Sequence, residues 1–390
     1  MVCVVQKFGG TSVATLERIK NVADIVAGSH KKRNSVVTVI SAMAGVTNKF
    51  IGYVRNMNAY EGDPEYDHVV SSGELITAGL LAIALKNLGL QAKSYSSWQV
   101  PILTDNNHGH AVIQKIDPVN LQKDMANGII PVVCGFQGVS PENRITTLGR
   151  GGSDLTAVAV ASAINADLCE IYSDVDGVYT IDPNLYHKAK RIDGINYYEM
   201  LEMASQGAKI LQEQSVDYAM RNNVIIRVAS SFVENAGTII SDKIQPRDFR
   251  GLAVTPSLSR IRIFHSGCEK SVADLLKQNY INAEVIKCDN PSKIDVLVDK
   301  KKSSIAINLL KNCDFIKSAR QVVARPSSRI NVIGSSISPA IADNLVDVLK
   351  SEKIETFAVS VYSHRVDLIV SGNKLLESIA ILHKHCGLEK

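Results

Sequence analysis

The stretch "VCVVQKFGGTSV", residues 2–13, joins a short apolar run to a turn with paired glycines. Val2–Gln6 has the continuous apolar character of a buried strand, and a helical pattern follows the turn. Glycines let the backbone come close to a ligand, and the N–H groups at a helix start attract anions. Because Lys7 adds a positive charge, the stretch predicts a phosphate cradle. A plain structural turn is the alternative, since this is not the GxxxxGK[ST] loop.

Four more continuous apolar runs alternate with helical patterns up to about residue 232. They are Val36–Ile40, Ile129–Cys134, Leu168–Tyr172 and Val224–Val228. Continuous rather than alternating apolar strands are typical of a parallel sheet that helices cover on both faces. We therefore predict an α/β fold, a three-layer α/β/α domain with a mainly parallel sheet, over residues 1–235.

Two helices of this domain are predicted from their apolar spacing. The first covers Val13–Ala27, and its apolar face is formed by Leu16, Ile19, Ala23 and Val26. The second covers Glu74–Leu88 and is ended by Gly89, because glycine readily adopts the left-handed conformation that closes a helix.

The last third of the chain repeats itself after a segment rich in turn-forming residues, 232–258. Ser259-Arg260-Ile261 recurs as Ser328-Arg329-Ile330, and the run 294–298 recurs as 366–370, in each case about 70 residues later. Each copy reads strand, helix, strand, strand, helix, which is most of a split βαβ unit. We expect two small modules, 252–325 and 326–390.

Composition and residue spacing argue against several classes of binding partner and site. A net charge of +4 is too small to indicate a nucleic-acid partner. The sequence lacks an uninterrupted apolar run of about 18 residues, so we expect no membrane segment and a cytoplasmic protein. The seven cysteines are scattered without a CxxC pair and read as reduced thiols. His108-Gly-His110 and His383-Lys-His385-Cys386 lack the further ligands of a structural metal site, and none is predicted.

Three loops carry the polar residues, each placed where a parallel sheet binds its ligands, after a strand. They are "SAMAGVTN" with Ser41 and Thr47, "TTLGRGGSD" with Arg150, Ser153 and Asp154, and "YSDVDGVYTIDP". In the second, Ser153 or Asp154 is expected to cap the following helix.

Glu74 and Arg150 are each open to two interpretations. Glu74 near a helix start is either a favourable charge at the helix terminus or a binding group. Arg150, between glycines, is either a surface residue or a bidentate partner for a carboxylate. Because all these loops face one crevice, we favour the functional interpretations.

These motifs, with "SSGELITAGL" and "GAKIL", resemble in order the signature loops of aspartate kinases, within the amino acid kinase family. The resemblance implies transfer of the γ-phosphoryl group of MgATP to the side-chain carboxylate of L-aspartate, the first step of aspartate-derived amino acid synthesis. It assigns Lys7 and Asp154 to catalysis. It assigns substrate binding to four residues: Thr47, Glu74, Arg150 and Ser153.

The resemblance also implies a nucleotide site, with Mg²⁺ held mainly by ATP oxygens and water. The residues assigned to it are Gly9, Gly10, Thr11, Ser41, Ser173, Asp174, Tyr179, Asp182 and Lys209. The two terminal modules resemble ACT domains, which implies a homodimer or higher homo-oligomer and an amino-acid effector. This resemblance also implies that the two modules can be interleaved, because in relatives one is inserted within the other. One departure is Gln212-Glu213, where relatives carry His-Pro after "GAKIL".

Two rival functions remain open at this stage. One keeps the fold and changes the acceptor, for example to glutamate. The other is a non-catalytic amino-acid sensor that uses a kinase-like shell. Intact Lys7, Glu74, Arg150 and Asp154 argue against the sensor.

Overall fold

The structure is a computed structural model that describes residues 2–207, 210–234, 236–264, 267–287, 293–313 and 322–389. The chain divides into two compact units. The first comprises residues 1–178, 191–204 and 209–245, and the second comprises residues 179–190, 205–208 and 246–390. Two short segments, 179–190 and 205–208, therefore belong to the second unit, and the chain returns to the first unit after each of them.

Up to residue 245 the described residues form the five predicted strands and seven short strands that the sequence analysis did not predict, so strands and helices alternate only in part. The strands are β1 (Cys3–Phe8), β2 (Ser35–Ile40), β3 (Ala92–Tyr95), β4 (Ile102–Thr104), β5 (Ile113–Ile116), β6 (Ile130–Cys134), β7 (Gln137–Val139), β8 (Ile145–Thr147), β9 (Leu168–Ser173), β10 (Gly194–Ile195), β11 (Ile226–Ser230) and β12 (Thr238–Ile240). The helices are α1 (Leu16–Lys31), α2 (Val46–Asn56), α3 (Pro64–Val70), α4 (Ser72–Asn87), α5 (Val119–Ala126), α6 (Gly152–Ala163), α7 (Tyr197–Ser205) and α8 (Glu213–Arg221).

A large sheet organises the first unit. Over the described residues it has eight strands in the order β10-β12-β11-β9-β1-β2-β6-β3, and β1 lies between β9 and β2. The pair β11–β12 is antiparallel, and the other neighbouring pairs described are parallel. The predicted mainly parallel sheet is confirmed. Its inner strands are rich in valine and isoleucine, whose branched side chains favour the pleated, buried conformation.

Helices α1 and α4 cover part of this sheet with a continuous apolar core. Ile19, Val22 and Val26 of α1 and Leu81 and Leu85 of α4 are buried in it. The predicted apolar face of α1 is correct except at Leu16, which is 60% exposed. Leu16 is the first residue of α1, because Thr15 caps the helix by accepting a hydrogen bond from the backbone N–H of Arg18. The helix therefore begins three residues later than predicted, and its first residue is exposed to solvent and not packed in the core.

A smaller sheet completes the first unit. In the described part of the chain it contains four strands in the order β5-β4-β7-β8. Strands β7 and β8 form an antiparallel hairpin directly after β6, and β8 leads into the loop that begins α6. This hairpin therefore positions the "LGRGG" segment at residues 148–152.

One helical stretch, Pro64–Asn87, is long and apolar enough to cross a membrane by length and composition alone. Half of its apolar window is buried inside the protein. In the fold it consists of α3 and α4, which meet at Ser71. Its buried residues, among them Leu81 and Leu85 of α4, pack in the core of the first unit.

The second unit is built on an antiparallel sheet. Its elements are β13 (Gly251–Ile263), α9 (Glu269–Gln278), β14 (Ala283–Lys287), β15 (Ile294–Asp299), α10 (Ser303–Asn312), β16 (Val322–Ile333), α11 (Pro339–Ser351), β17 (Thr356–Val361), β18 (Arg365–Ser371) and α12 (Leu375–His385). Each half reads strand, helix, strand, strand, helix. Across the described residues the strand order is β14-β15-β13-β16-β18-β17.

The two long strands β13 and β16 belong to both halves of this sheet. The later part of β13 pairs with β15, whereas both parts pair with β16, across an irregularity between Thr255 and Leu258. Strand β16 in turn pairs with β18 from Ser327 onward. Each half therefore has the four-strand order of a ferredoxin-like module only when it uses one end of the other half's first strand.

Candidate active site

The parallel register brings four loops to one edge of the large sheet. Phe8 is aligned with Ile40 and with Tyr172, and Ile40 is aligned with Cys134. Because these residues lie at or next to the carboxyl ends of their strands, the segments that follow them begin side by side. Backbone hydrogen bonds tie two of the loops together, since the N–H of Ala44 donates to the carbonyl of Gly10 at 3.2 Å.

A cavity of about 290 Å³ opens among these loops. Eight of the predicted site residues line it: Lys7, Gly10, Ser41, Thr47, Glu74, Arg150, Ser153 and Asp154. They come from four separate stretches of sequence. The structure therefore brings together the two predicted catalytic residues, all four predicted substrate residues and part of the predicted nucleotide set.

Lys7 and Asp154 form an ion pair at the wall of this cavity. The Lys7 Nζ lies 2.5 Å from Asp154 Oδ1, and the two side chains are only 11% and 12% exposed. Lys7 is held on β1 and Asp154 lies in the first turn of α6. A nearly buried ammonium that remains accessible from a cavity can neutralise a ligand anion, because little water screens it.

The start of α6 provides a second source of positive potential. Its N-cap is Gly151, with a φ of +71° in the left-handed region and no side-chain cap. The expectation that Ser153 or Asp154 caps the helix is therefore wrong, since both residues lie inside its first turn. A glycine cap leaves the helix terminus uncovered by its own side chain, and the helix dipole then favours an anion there.

Gly151 also has a steric reason to be glycine. A Cβ at this position would lie 1.9 Å from Cγ of Gln212, the residue before α8. Gln212 is the first residue of the Gln-Glu pair that departs from the related sequences. Its side chain thus packs against the loop that carries Arg150.

Glu74 lines the cavity as a buried carboxylate, which is unusual for this type of residue. It is 3% exposed, and its Oε1 accepts a hydrogen bond of 3.0 Å from the backbone N–H of Ala42. Its Oε2 is buried with no hydrogen-bond partner among the residues that the structure describes. Burial raises the pKa of Glu74 to about 7, while the backbone N–H groups oppose that rise. A buried acceptor without a partner indicates a place for a ligand donor.

Arg150 is an exposed residue of the lining. It stands between Gly149 and Gly151, both with positive φ values near +70° (+74° and +71°). This conformation carries the arginine across the mouth of the cavity on a short glycine-flanked segment. A guanidinium there can reach a carboxylate ligand, and Glu74 can accept from an ammonium group of the same ligand.

The remaining predicted nucleotide residues have varied positions. Gly9 adjoins Lys7, because a Cβ at Gly9 would lie 3.4 Å from Lys7 Nζ. Thr11 is exposed in a short 3-10 helix, Gly10–Val13. Ser173 ends β9, and its hydroxyl donates to Asp174 at 3.0 Å. These three positions follow β1 or β9 at the same sheet edge as the cavity.

Three predicted nucleotide residues cannot be placed at the cavity. Tyr179 and Asp182 belong to the second unit, in its 179–190 excursion. Lys209 lies outside the described residues.

Phe136 is a lining residue that the sequence analysis missed. It has a φ of +71°, which is unusual for an aromatic residue, and its N–H donates to Thr156 Oγ1 at 3.1 Å. A Cβ on Gly152 would lie 2.9 Å from its ring. The "GFQG" sequence after a predicted strand is a possible signal, but the left-handed backbone that turns this ring toward α6 is not visible in the sequence.

Comparison with known proteins shows relatives over nearly the whole chain. The sequence profile of the Amino acid kinase family matches residues 2–230. The aspartokinase of Rickettsia bellii is 43% identical over 287 residues, which is 72% of this chain and 71% of that protein. The aspartate kinase Ask_LysC of Stutzerimonas stutzeri is 36% identical over 404 residues, covering 98% of this chain and 97% of that protein.

Solved structures show the same similarity. Two crystal structures of E. coli aspartokinase III, 26% identical in sequence, cover 98% of this chain and 99% of theirs. The one in complex with aspartate and ADP (R-state) has a TM-score of 0.74. The one in complex with lysine and aspartate (T-state) has a TM-score of 0.81.

Proposed function

This chain belongs to the amino acid kinase family, and on that premise we propose that it acts as an aspartate kinase. The reaction transfers the γ-phosphoryl group of ATP to the side-chain carboxylate of L-aspartate, giving 4-phospho-L-aspartate and ADP. The observation that carries this proposal is a single cavity with a Lys7–Asp154 ion pair, a buried Glu74 with a spare acceptor, and Arg150 at its mouth.

The acceptor group determines what the protein must supply. An aspartate side chain, with a reference pKa of about 3.9, is already ionised at neutral pH and needs no general base. One carboxylate oxygen forms a bond to the γ-phosphorus while the bond to the β,γ-bridging oxygen breaks, and ADP leaves with that electron pair. Catalysis therefore consists of holding the two substrates in line and neutralising the charge on the transferring group.

Lys7 is the residue that we assign to charge neutralisation. Its ammonium lies on the cavity wall next to the uncovered start of α6, and the Gly9-Gly10 turn begins two residues after it. Asp154 holds the ammonium at 2.5 Å and so fixes its direction. The ion pair supports a role in which Lys7 contacts the phosphoryl oxygens and Asp154 orients it.

Glu74 and Arg150 are the pair that we assign to the α-amino and α-carboxylate groups of aspartate. An ammonium donor satisfies the unpartnered Oε2 of Glu74, and the guanidinium of Arg150 suits a planar carboxylate. Thr47 and Ser153 line the same cavity and complete this part of the site. The assignment places the side-chain carboxylate of the substrate toward Lys7.

ATP is assigned to the same sheet edge, where Gly9, Gly10, Thr11, Ser41, Ser173 and Asp174 follow the strands. Tyr179, Asp182 and Lys209 complete this set on the basis of sequence resemblance. We expect Mg²⁺ to bind mainly through ATP oxygens and water, as it does in many phosphoryl-transfer enzymes.

The second unit is proposed to be regulatory. Its interlinked ferredoxin-like halves fit a pair of ACT-like modules, with the kinase domain at 1–235 and module boundaries near 252–325 and 326–390. An amino-acid effector is a reasonable expectation, since a related structure is in complex with lysine. We further propose a homodimer or higher oligomer formed through these modules, a cytoplasmic location, and a place at the start of aspartate-derived amino acid synthesis.

The test is a coupled measurement of ADP release and acyl phosphate. Purified protein is incubated with MgATP and L-aspartate, L-glutamate or no amino acid, and hydroxylamine traps any acyl phosphate as the hydroxamate. Turnover and hydroxamate with aspartate alone are expected. Parallel samples with added lysine or threonine test whether the second unit binds an effector.

Other outcomes would redirect the assignment. Hydroxamate with glutamate but not with aspartate would change the acceptor and keep the kinase chemistry. Binding of aspartate without ADP release, in the presence of MgATP, would support a non-catalytic amino-acid sensor instead.

A further inference from the structure

Asp67 is a fully buried carboxylate on α3 that the proposed reaction does not use. It is 0% exposed and accepts hydrogen bonds from three residues. His108 Nδ1 lies 2.7 Å from its Oδ2, the N–H of Gly109 lies 3.1 Å from both oxygens, and the Thr147 hydroxyl donates to Oδ1 at 2.5 Å. Burying a charge is costly unless it is paired and hydrogen-bonded, so this set of donors is what allows a carboxylate here.

The arrangement does not suit nucleophilic catalysis. In a catalytic triad the histidine lies between the carboxylate and the hydroxyl nucleophile. Here Asp67 lies between Thr147 and His108, so the Thr147 hydroxyl donates to the carboxylate rather than to a histidine that could activate it. With no exposed surface, Asp67 also cannot touch a substrate. Its contacts must therefore act on the elements that carry its partners.

Two of these contacts lead to the Arg150 loop. Thr147 is the last residue of β8, three positions before Arg150, and its carbonyl accepts from the N–H of Ala111 at 2.9 Å. Gly149, next to Arg150, packs against the His108–His110 segment. A Cβ on Gly149 would lie 2.8 Å from His110 Nδ1 and 3.2 Å from the carbonyl oxygen of Gly109. Asp67 thus fixes both the strand that enters this loop and the segment that supports it.

The helix of Asp67 leads to Glu74. The Asp67 carbonyl accepts from the N–H of Ser71 at 3.1 Å, at the junction of α3 and α4. The carbonyl of Ser71 accepts in turn from Gln137 Nε2 at 3.2 Å, in β7. Glu74 follows within the first turn of α4. One buried carboxylate is therefore connected to both elements that we assign to the two ends of aspartate.

We propose that Asp67 is a positioning residue for aspartate recognition, which holds the Arg150 loop at a fixed distance from Glu74. The inference rests on the proposed function of the site, because it takes Arg150 and Glu74 as the groups that bind the α-carboxylate and α-ammonium. Asp67→Asn replaces one acceptor oxygen by an N–H₂ group that faces buried donors, which releases the loop, while the Lys7–Asp154 pair is untouched.

The experiment compares Asp67→Asn with Asp124→Asn. Asp124 is a matched control, because it is also buried in the first unit and accepts a hydrogen bond of 2.5 Å from the Tyr95 hydroxyl, but its side-chain partners are Tyr95 and Lys93 and not the segments around Arg150. For Asp67→Asn we expect the KM for aspartate to rise by about tenfold or more, because the weakened hydrogen bonds to the charged group no longer hold the Arg150 loop in place. The KM for ATP should stay within about twofold of wild type. Asp124→Asn should lose stability with both KM values unchanged.

A second pair of variants tests the link through the loop even if Asp67→Asn does not fold. Thr147→Val keeps the side-chain shape and removes the hydroxyl, whereas Thr147→Ser keeps the hydroxyl. We expect a raised KM for aspartate in Thr147→Val and a near-normal value in Thr147→Ser. An unchanged KM in Thr147→Val or in folded Asp67→Asn would overturn the proposal, as would an equal rise in Asp124→Asn.

Calorimetric titration with aspartate separates this inference from the proposed function. If the wild-type protein binds aspartate without turnover, the kinase assignment fails, and the ratio of dissociation constants between variants still decides the role of Asp67. If the wild-type protein neither binds nor phosphorylates aspartate, both proposals fail together.

Discussion

Charged side chains are buried differently at the cavity of the first unit and in the sheet of the second unit. At the cavity of the first unit, Lys7, Glu74 and Asp154 sit at strand ends and helix starts, and one oxygen of Glu74 has no partner among the described residues. In the second unit, Asp295 is the second residue of β15, and it accepts two hydrogen bonds of 2.8 Å from Arg262 on the neighbouring strand β13. The difference suggests a division of tasks: charges at sheet edges are available to a ligand, whereas charges within a sheet serve stability.

Arg260 illustrates the second task. It is 4% exposed, its NH1 lies 3.6 Å from Asp295, and its guanidinium lies 3.4 Å above the ring centroid of Phe357. A cation–π contact and an ion pair together offset the loss of water around the guanidinium. Burial nevertheless lowers the pKa of Arg260, with Asp295 opposing that change.

The largest effect is expected on the stability of the second unit, when the buried ion pairs of Asp295 are broken. Asp295→Asn leaves Arg260 and Arg262 without their carboxylate, which should cost about 3–5 kcal/mol of stability. The thermal midpoint of the second unit's unfolding should fall clearly. The KM for aspartate, measured at a temperature where the variant is folded, should not change. A large change in that KM with no loss of stability would contradict the division of tasks.

The next effect concerns catalysis. Lys7→Ala should lower kcat by about 10²–10³-fold, because one preorganised positive group no longer meets the charge on the transferring phosphoryl group. The dissociation constant for aspartate should stay within about threefold of wild type. Lys93→Ala is the control, since Lys93 also faces a carboxylate, Asp124, at 3.7 Å, but lies away from the cavity. Unchanged turnover in Lys7→Ala would assign Lys7 to structure.

Arg150→Ala should have a smaller effect that is confined to one substrate. Losing a charge-assisted contact with the α-carboxylate, worth about 1.5–3 kcal/mol, should raise the KM for aspartate by roughly 10–100-fold. Arg221→Ala, in an exposed pair with Asp217 on α8, should behave as wild type. Weakened ATP binding with normal aspartate binding would show that the two substrate positions are reversed.

The smallest effect is a pH dependence from Glu74. Because burial raises its pKa to about 7, Glu74 gains a proton as the pH falls below that value and can no longer attract an ammonium group. The dissociation constant for aspartate should be level above about pH 7 and rise toward tenfold per pH unit below it. Glu74→Gln should bind weakly and show no such slope. An equal slope in Glu74→Gln would assign the titration to another group.

The pH dependence that Glu74 gives to folding stability is opposite to the one that it gives to aspartate binding. Its folded-state pKa is raised from 4.5, so the folded protein holds the proton more tightly than the unfolded chain does. Its contribution to stability is therefore present below about pH 4.5 and is lost as the pH rises through about 7. Above that pH, Glu74→Gln should unfold at a higher temperature than the wild-type protein. Such a gain in stability with a loss of binding is expected for a group kept for a ligand.

Sequence reasoning was most successful where one local pattern decides the outcome. The strands with continuous apolar runs, such as Ser35–Ile40, and the glycine stop after α4 could be predicted. So could the convergence of Lys7, Thr47, Glu74 and Arg150, because strand ends in a parallel sheet share one edge. The cap of α6 could not be predicted, since Ser153 and Asp154 are better capping residues than Gly151 by type.

Contacts between distant residues were beyond the sequence. The left-handed backbone of Phe136 and the packing of Gln212 against Gly151 depend on tertiary structure rather than on local preference. Asp67 lies in a short acidic segment, "PEYD", that resembles an exposed helix start, and its burial depends on donors about 41 and 80 residues away along the chain. The excursion of Tyr179 and Asp182 into the second unit likewise gives no signal in "YTIDP".

The shared strands β13 and β16 have a consequence for synthesis. The first residues of β13, Gly251–Thr255, pair with Arg329–Ile333, so they leave the ribosome long before their partner exists. At about 5–20 residues per second, the intervening chain takes roughly 4 to 16 s to make. During that time the strand presents an open edge, which is the kind of surface that holding chaperones bind and that promotes aggregation.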